Sequence, residues 1–440
     1  MSAARPDGAV EKFKAWWGRY VGGEAVPRRL CHRWFRDEAG YRGRVARFGD
    51  VKPDRPEDFV WQPGPPPPPD EAFARLRWGG QLLVTHGDDD TLLRAARAYA
   101  ADDGFEVEAG PRATFPQRFG IPLPLFGRRL RYLLLRKVTL LRPGEDTDRF
   151  TFDVRLVRRP ELGNRYVVMK QVPRYRRVVA RLHNRFPEAP QTVLLERAEK
   201  LVKRVFPVFL TREAGFLQLL NRDLPAEYRG RVPEALGFER AADGTIKRLY
   251  MTWLRLGVDP VSHLDFAKQA AELLSVLHDR VGVIHLDLRL DNVLICDGRV
   301  CFIDFGSSVR VGENIAASPL LSSLFEEMAN TSRIQRTMGR MRDAGRLTSD
   351  VLVAAHGKLD KGVDMFYLSL QISKPVSNPD LRPLIGFEPG SEVAKRIKLM
   401  TGAILRPSDP NRPHFISAAD VLGGLRRIEA KLEAAGESTT

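Results

Sequence analysis

The spacing of apolar positions changes period several times along the 440-residue chain, and each change marks an element. "QLLVT" is a short apolar run, "TLLRAARAYAADD" repeats at helical spacing up to Gly104, and "FEVEA" alternates. Residues 71–130 therefore predict a small strand–helix–strand unit. From residue 131 the period falls to that of strands, in "LRYLLLRKVTLLRPG", "RFTFDVRLVRR" and "NRYVVMKQVP". Helical runs follow, in "VVARLHNRF", "TVLLERAEKLVKRV" and "TREAGFLQLL", and the chain beyond residue 265 is mainly helical. Strands first and helices afterwards predict two lobes in an α+β arrangement.

One stretch interrupts the helical half. "VLIC" and "VCFID" flank Asp297-Gly298, the favoured centre of a tight type I′ hairpin. Such a hairpin folds Asn292, ahead of its first strand, towards Asp304, which ends its second. Asp287 sits in the loop leading in. Two acids and an amide thus cluster at one sheet edge, where unpaired carboxylates repel and are costly to desolvate. A hard divalent cation removes that cost, and carboxylate and carboxamide oxygens suit Mg²⁺. One carboxylate to accept a proton and oxygen ligands to hold Mg²⁺ on ATP are what phosphoryl transfer requires.

Within that context, "HLDLRLDN" resembles the catalytic loop of the protein-kinase superfamily, and "IDFGS" resembles its metal-binding Asp-Phe-Gly. The resemblance is to a divergent serine/threonine protein kinase of the bacterial, eukaryotic-like type. It implies a bilobal α+β fold with a small β-rich N-lobe over residues 131–255 and a large helical C-lobe over 256–435, behind an N-terminal α/β extension. By the same resemblance Asp287 orients the acceptor hydroxyl and takes its proton, and Asn292 and Asp304 bind Mg²⁺. Arg289 stands where serine/threonine kinases usually carry Lys, and some tyrosine kinases have Arg there, so the acceptor type stays open. His285, Phe305 and Gly306 support the loop. Leu286 replaces the Arg that normally pairs with an activation-loop phosphate, which implies no activation by phosphorylation there.

Upstream, "YVVMKQV" resembles the third strand, which makes Lys170 the lysine on the ATP phosphates. "TREAGFLQLL" resembles the αC helix and nominates Glu213 as its partner, with Glu196 and Glu199 as rivals nearer in sequence. "LYMTWLRLG" resembles the fifth strand and hinge, placing Met251, Thr252 and Leu254 against adenine. "KGVDMFYLSLQI" resembles the F-helix, with Asp364 bracing the catalytic loop, and Arg412 resembles the structural Arg of the closing subdomain. Ser417 and Asp420 form a capping pair for the last helix. The phosphate-covering loop departs from the family: "LLRPGEDTDRFTF" offers only Gly144, and Glu326 or Glu327 is a remote candidate for the Ala-Pro-Glu acid.

The implied reaction is ATP- and Mg²⁺-dependent transfer of the γ-phosphate to a hydroxyl, with Ser or Thr of a protein as the acceptor. A small-molecule, sugar or lipid kinase of the same superfamily and a non-catalytic pseudokinase scaffold are the alternatives.

Composition changes this picture little. Apolar content of 43% and charged content of 28% are those of a soluble globular protein. No apolar run reaches the length of a membrane span, and the N-terminus lacks the apolar core of a secretory signal, so a cytoplasmic protein is expected. Cys31, Cys296 and Cys301 have no metal-ligand spacing, and the latter two read as buried thiols. The net charge of +15 goes with Arg spread over the whole chain and with no nucleic-acid-binding signature, so no nucleic-acid partner is specified. Residues 1–62 form a basic region with Trp16 and Trp17, and the proline run Pro65 to Pro69 predicts a stiff linker over 63–70. Asp88, Asp89 and Asp90 either cap the following helix or hold a metal. The basic segment after Lys170, with Arg174, Arg176, Arg177 and Arg181, is a solvated helix face or a dock for an acidic surface.

Overall fold

The computed structural model describes residues 46–52, 57–86, 88–110, 131–139, 152–162, 165–257, 260–313, 361–373, 375, 384–404 and 417–435. Gly144, Glu326, Glu327, Arg412, Cys31, Trp16 and Trp17 lie outside them. The chain divides into two compact units, Met1–Glu145 and Asp146–Thr440.

The first unit is built on a five-stranded mixed sheet. Strands β1 (Ala46–Arg47), β2 (Glu57–Pro63) and β3 (Leu76–His86) run parallel. β5 (Arg131–Lys137) is antiparallel both to β3 and to the edge strand β4 (Phe105–Ala109). Helices α1 (Pro69–Arg75) and α2 (Asp89–Ala101) contribute Ala72, Phe73, Leu92 and Tyr99 to a core with Leu82, Val84, Leu133 and Leu135 of the sheet. Asp88 is the N-cap of α2, its carboxylate accepting from the amides of Asp90 and Thr91. Of the acidic trio, Asp88 thus caps the helix, and among the described residues no acid, His or Cys cluster could hold a metal.

Two boundaries read from the sequence need correction. The strand at residue 131 belongs to the first unit's sheet, where Leu82 faces Leu135 and Val84 faces Leu133, rather than to an N-lobe beginning there. Its apolar run marks a buried strand without naming its partners. The proline run is likewise internal to the first unit: Pro63 ends β2, Pro69 opens α1, and the Pro67 carbonyl accepts from the Tyr99 hydroxyl at 2.8 Å. Proline at a helix start needs no amide partner, so Pro69 opens the helix without loss.

The second unit opens with a four-stranded antiparallel sheet in the order β6 (Asp153–Arg159), β7 (Arg165–Gln171), β9 (Ile246–Thr252), β8 (Ala235–Arg240). Between β7 and β8 run α3 (Tyr175–Arg185) and α4 (Gln191–Lys200). A π-helical turn, Leu201–Val205, then leads into α5 (Phe206–Asp223). After the sheet come β10 (Val261–Ser262), α6 (His263–Val276), β11 (Val283–Ile284), the hairpin β12 (Val293–Cys296) and β13 (Arg299–Phe302), and β14 (Val309–Arg310). Helix α7 (Gly362–Ser373), β15 (Ile385–Gly386), α8 (Glu392–Ile404) and α9 (Ala418–Ala434) complete a helical lobe packed around α6. A small β-rich lobe followed by a larger helical one is the α+β bilobal arrangement expected.

Local signals account for much of this. Asp297 and Gly298 both have positive φ, as a type I′ turn requires, and pair Cys296 with Arg299 across the hairpin. Ser417 and Asp420 form a reciprocal capping box on α9. Cys301 is buried and Cys296 half-buried, both as free thiols. Among the described residues no helix is long and apolar enough to cross a membrane.

Candidate active site

The hairpin delivers its polar residues to one edge, as its turn requires. The Ile303 amide donates to the Asn292 carbonyl at 3.0 Å, closing the open end of the β12–β13 pair. Asn292 turns its Nδ2 back onto the Asp287 carbonyl at 2.7 Å and the Asp287 Oδ2 at 3.1 Å. Arg289 clamps the same carboxylate, with Nε 2.7 Å from Oδ1 and an Nη 3.1 Å from Oδ2. Burial raises the Asp287 carboxyl above its ordinary value, Arg289 opposes this only in part, and the charge of Asp304 adds to it.

Lys170 reaches this edge from the sheet. It is buried on β7, opposite Leu249 and Val154 of the flanking strands. Its ammonium lies 2.7 Å from Glu213 of α5 and 2.8 Å from Asp304. Desolvation works to lower the lysine, but the charges of Asp304 and Glu213 outweigh it and raise its pKa. At Asp304 burial works upward, and the Lys170 charge and hydrogen bond prevail, holding the carboxyl below the usual range. Glu213 goes the other way. Its side chain is 2% exposed against 41% for Asp304. Desolvation, with Asp304 adding to it, pushes Glu213 up to about 7 despite Lys170. One ammonium serves two carboxylates, and the deeper one gains less from it. The Phe305 amide also donates to Glu213, tying α5 to the segment after Asp304.

That raised value has a measurable consequence. Because the folded pKa exceeds the ordinary 4.5, Glu213's contribution to stability is full below about 4.5 and is lost as pH rises through about 7. Glu213→Gln is expected to remove that decline, so that the stability difference between wild type and variant changes between these pH values. Parallel denaturant melts across the range check it, and superimposable pH profiles would refute it.

Supporting residues hold the loop from below. Asp364 of α7 is fully buried and accepts from the amides of His285 at 2.7 Å and Leu286 at 2.8 Å, and from His278 Nε2 at 2.9 Å. Burial acts to raise this carboxyl, but the bond and charge of His278 together with the His285 charge and amide outweigh it and keep it low. His285 donates from Nε2 to the Ile303 carbonyl at 3.0 Å, and its ring lies 4.7 Å from that of Phe305. A Cβ at Gly306 would come within 3.3 Å of the Phe209 ring of α5, a tight contact that the ring would have to yield to.

On the opposite side, Met251 is buried between Val168 and Ala235 of the neighbouring strands. Thr252 is tied back into the sheet, its amide donating to the Glu234 carbonyl at 2.9 Å and its hydroxyl accepting from the Glu234 amide at 2.8 Å. Its amide is therefore already committed. Leu254 is half-buried just beyond the strand. Gly257 follows, where a Cβ would meet the Asp297 amide nitrogen at 2.7 Å.

The structure thus brings together Lys170, Glu213, Asp287, Arg289, Asn292 and Asp304, braced by His285 and Asp364. Of the rival acids, Glu199 pairs on the surface with Lys203 and Glu196 is exposed. Sequence reasoning missed four contributors. His278 completes the hydrogen bonds of Asp364. Arg212 of α5 donates to the Ser308 carbonyl at 2.7 Å and pairs with Glu313 at 3.5 Å. Phe152 sets its ring 4.6 Å from the Lys170 ammonium, and Asp153 beside it receives Arg177 and Arg181. Only Arg212 carried a signal, by adjoining Glu213. The last contact corrects the basic-face reading, since Arg177 and Arg181 point inward to an acid while Arg174 and Arg176 are exposed.

In the second unit a lysine from the β-rich lobe, an acid from α5 and the acids and amide of the loop and hairpin thus converge on one edge. No protein-family model matches the chain. Over 43 residues it is 46% identical to the probable serine/threonine-protein kinase YbdM of Bacillus subtilis (strain 168), covering 10% of this chain and only 16% of that relative's length. A similar solved structure is the Toxoplasma gondii specific rhoptry antigen kinase domain, at a TM-score of 0.37 and 13% identity over 70% of this chain and 84% of that one.

Proposed function

We propose that the second unit is an ATP- and Mg²⁺-dependent phosphotransferase that moves the γ-phosphate to a hydroxyl, with Ser or Thr of a protein as acceptor. The observation carrying this reading is the Lys170 ammonium, 2.7 Å from Glu213 and 2.8 Å from Asp304, at the edge that also presents Asp287. The donor set suits the cation. Asp304 is ionised and partly exposed, and Asn292, its Nδ2 committed to Asp287, has its amide oxygen at the other end. Bound Mg²⁺ would supply charge neutralisation on the phosphates.

The chain's own residues do the rest by positioning and electrostatics. Lys170 aligns the phosphates, and Glu213 fixes its ammonium. Asp287 orients the acceptor hydroxyl and takes its proton, a task that its raised pKa favours. Arg289, two residues on, steadies the transferring group once Asp287 engages the acceptor.

The test is turnover of labelled ATP with and without Mg²⁺, against protein, sugar and lipid acceptors. Metal-dependent transfer to Ser or Thr is expected. Transfer to small acceptors alone would reassign the substrate, and no turnover with any acceptor would favour the scaffold reading.

A further inference from the structure

The helical segment between β7 and α5 has a core of its own. Val178 and Leu182 of α3, Leu194 and Ala198 of α4, and Leu201, Val205 and Phe206 after them form one buried cluster, against which Phe152 and Phe209 pack. Phe152 meets the Phe206 ring edge-on at 5.1 Å and Phe209 at 6.5 Å. The next residue, Asp153, opens β6 and receives Arg177 at 2.5 Å and Arg181 at 3.7 Å, both from α3. Val154 then pairs across the sheet with Lys170. Three consecutive residues of β6 and its approach are thus fastened to α3, to α5 and to the strand of the central lysine.

In the kinase pattern G-x-G-x-x-G-x-V the last glycine lies two residues before a valine. Phe152-Asp153-Val154 puts an aromatic at the place of that last glycine and an acid at the unrestricted position after it. Glycine permits a turn to mould itself around phosphate but loses the most conformational entropy in doing so. Anchoring the backbone beforehand reduces that ordering cost on binding.

We infer that Phe152 and Asp153 are positioning residues of the nucleotide site, and that the α3–α4 hairpin, through Arg177 and Arg181, replaces a glycine-rich turn in holding the end of β6 beside Lys170. The inference rests on the phosphotransferase reading and deepens it. The acid–arginine pairs set where β6 ends, while the Phe152 ring gives the ammonium a third partner besides its two carboxylates.

The experiment titrates the full chain with a fluorescent ATP analogue in Mg²⁺ and follows KM for ATP separately from kcat. Asp153→Ala is expected to weaken nucleotide binding about tenfold, with kcat within about twofold, because loss of a charge-assisted bond costs on about this scale. The exchanged pair Asp153→Arg with Arg177→Asp is expected to recover most of that loss. Phe152→Leu keeps the apolar fill against Phe206 and Phe209 but removes the π face, and is expected to weaken binding about threefold. It also decides the matter should Asp153→Ala not fold. Variants that melt earlier yet bind nucleotide as wild type does would overturn the inference alone. A wild-type protein that binds no nucleotide would overturn the phosphotransferase reading, and the inference with it.

Discussion

Asp287→Asn is expected to lower phosphoryl transfer by about 100-fold or more while leaving nucleotide affinity within about twofold, since loss of a general base costs on that scale. The substitution is nearly isosteric. The single amide oxygen, placed as Oδ2 is now, can still accept from Arg289 Nη and Asn292 Nδ2, each at 3.1 Å, although the Arg289 Nε contact at 2.7 Å is lost. What disappears is the capacity to accept a proton from the acceptor hydroxyl. Lys170, Glu213 and Asp304 are untouched, and binding of the phosphates should follow them. Arg289 loses its charge partner at a site 32% exposed, where water compensates for much of the loss. Single-turnover rates beside equilibrium nucleotide titrations separate the two effects. Retention of more than about a tenth of the wild-type rate would remove Asp287 from the role of base.

Asp364→Ala is expected to destabilise the second unit by about 3–5 kcal/mol and to abolish transfer, although Asp364 touches no reacting group. Its carboxylate is 0% exposed and accepts two backbone amides and the His278 imidazole. Alanine would leave all three donors buried without an acceptor. The loop would also lose the restraint that keeps Leu286 at a φ of 65°, a left-handed conformation that costs a non-glycine residue on the order of 1–3 kcal/mol. Asp287 follows Leu286 directly, so relaxation there moves the base. Asp364→Asn retains one acceptor oxygen and should fall between the two. Denaturant melts and turnover measured on the same preparations check both parts. An Ala variant as stable as wild type would show that the loop is held by other contacts.

The site was more legible than the architecture, and the reason is sequence distance. Asp287, Asn292 and Asp304 lie on one loop and one hairpin, and Asp297-Gly298 encodes the turn that joins them. Lys170 and Glu213 were legible because their segments resemble a kinase's third strand and αC helix, and because a buried lysine requires an acid. Phe152, Asp153 and His278 were not. Each acts across an element boundary on a partner whose own pattern is complete without it. The strand at 131 failed for the same reason, since alternation and apolar content describe a strand's faces and leave its neighbours undetermined.

By itself the sequence determined the local chemistry: the turn, the helix caps, the order of lobes in the second unit, and which polar residues must meet in a buried setting. Tertiary structure alone decided which sheet each apolar strand joins, that Arg177 and Arg181 face an acid rather than solvent, and that one ammonium is shared unequally between Glu213 and Asp304. Propensity and periodicity act over a few neighbouring residues, whereas pairing, burial and charge balance depend on groups that only the folded chain brings within a few ångströms.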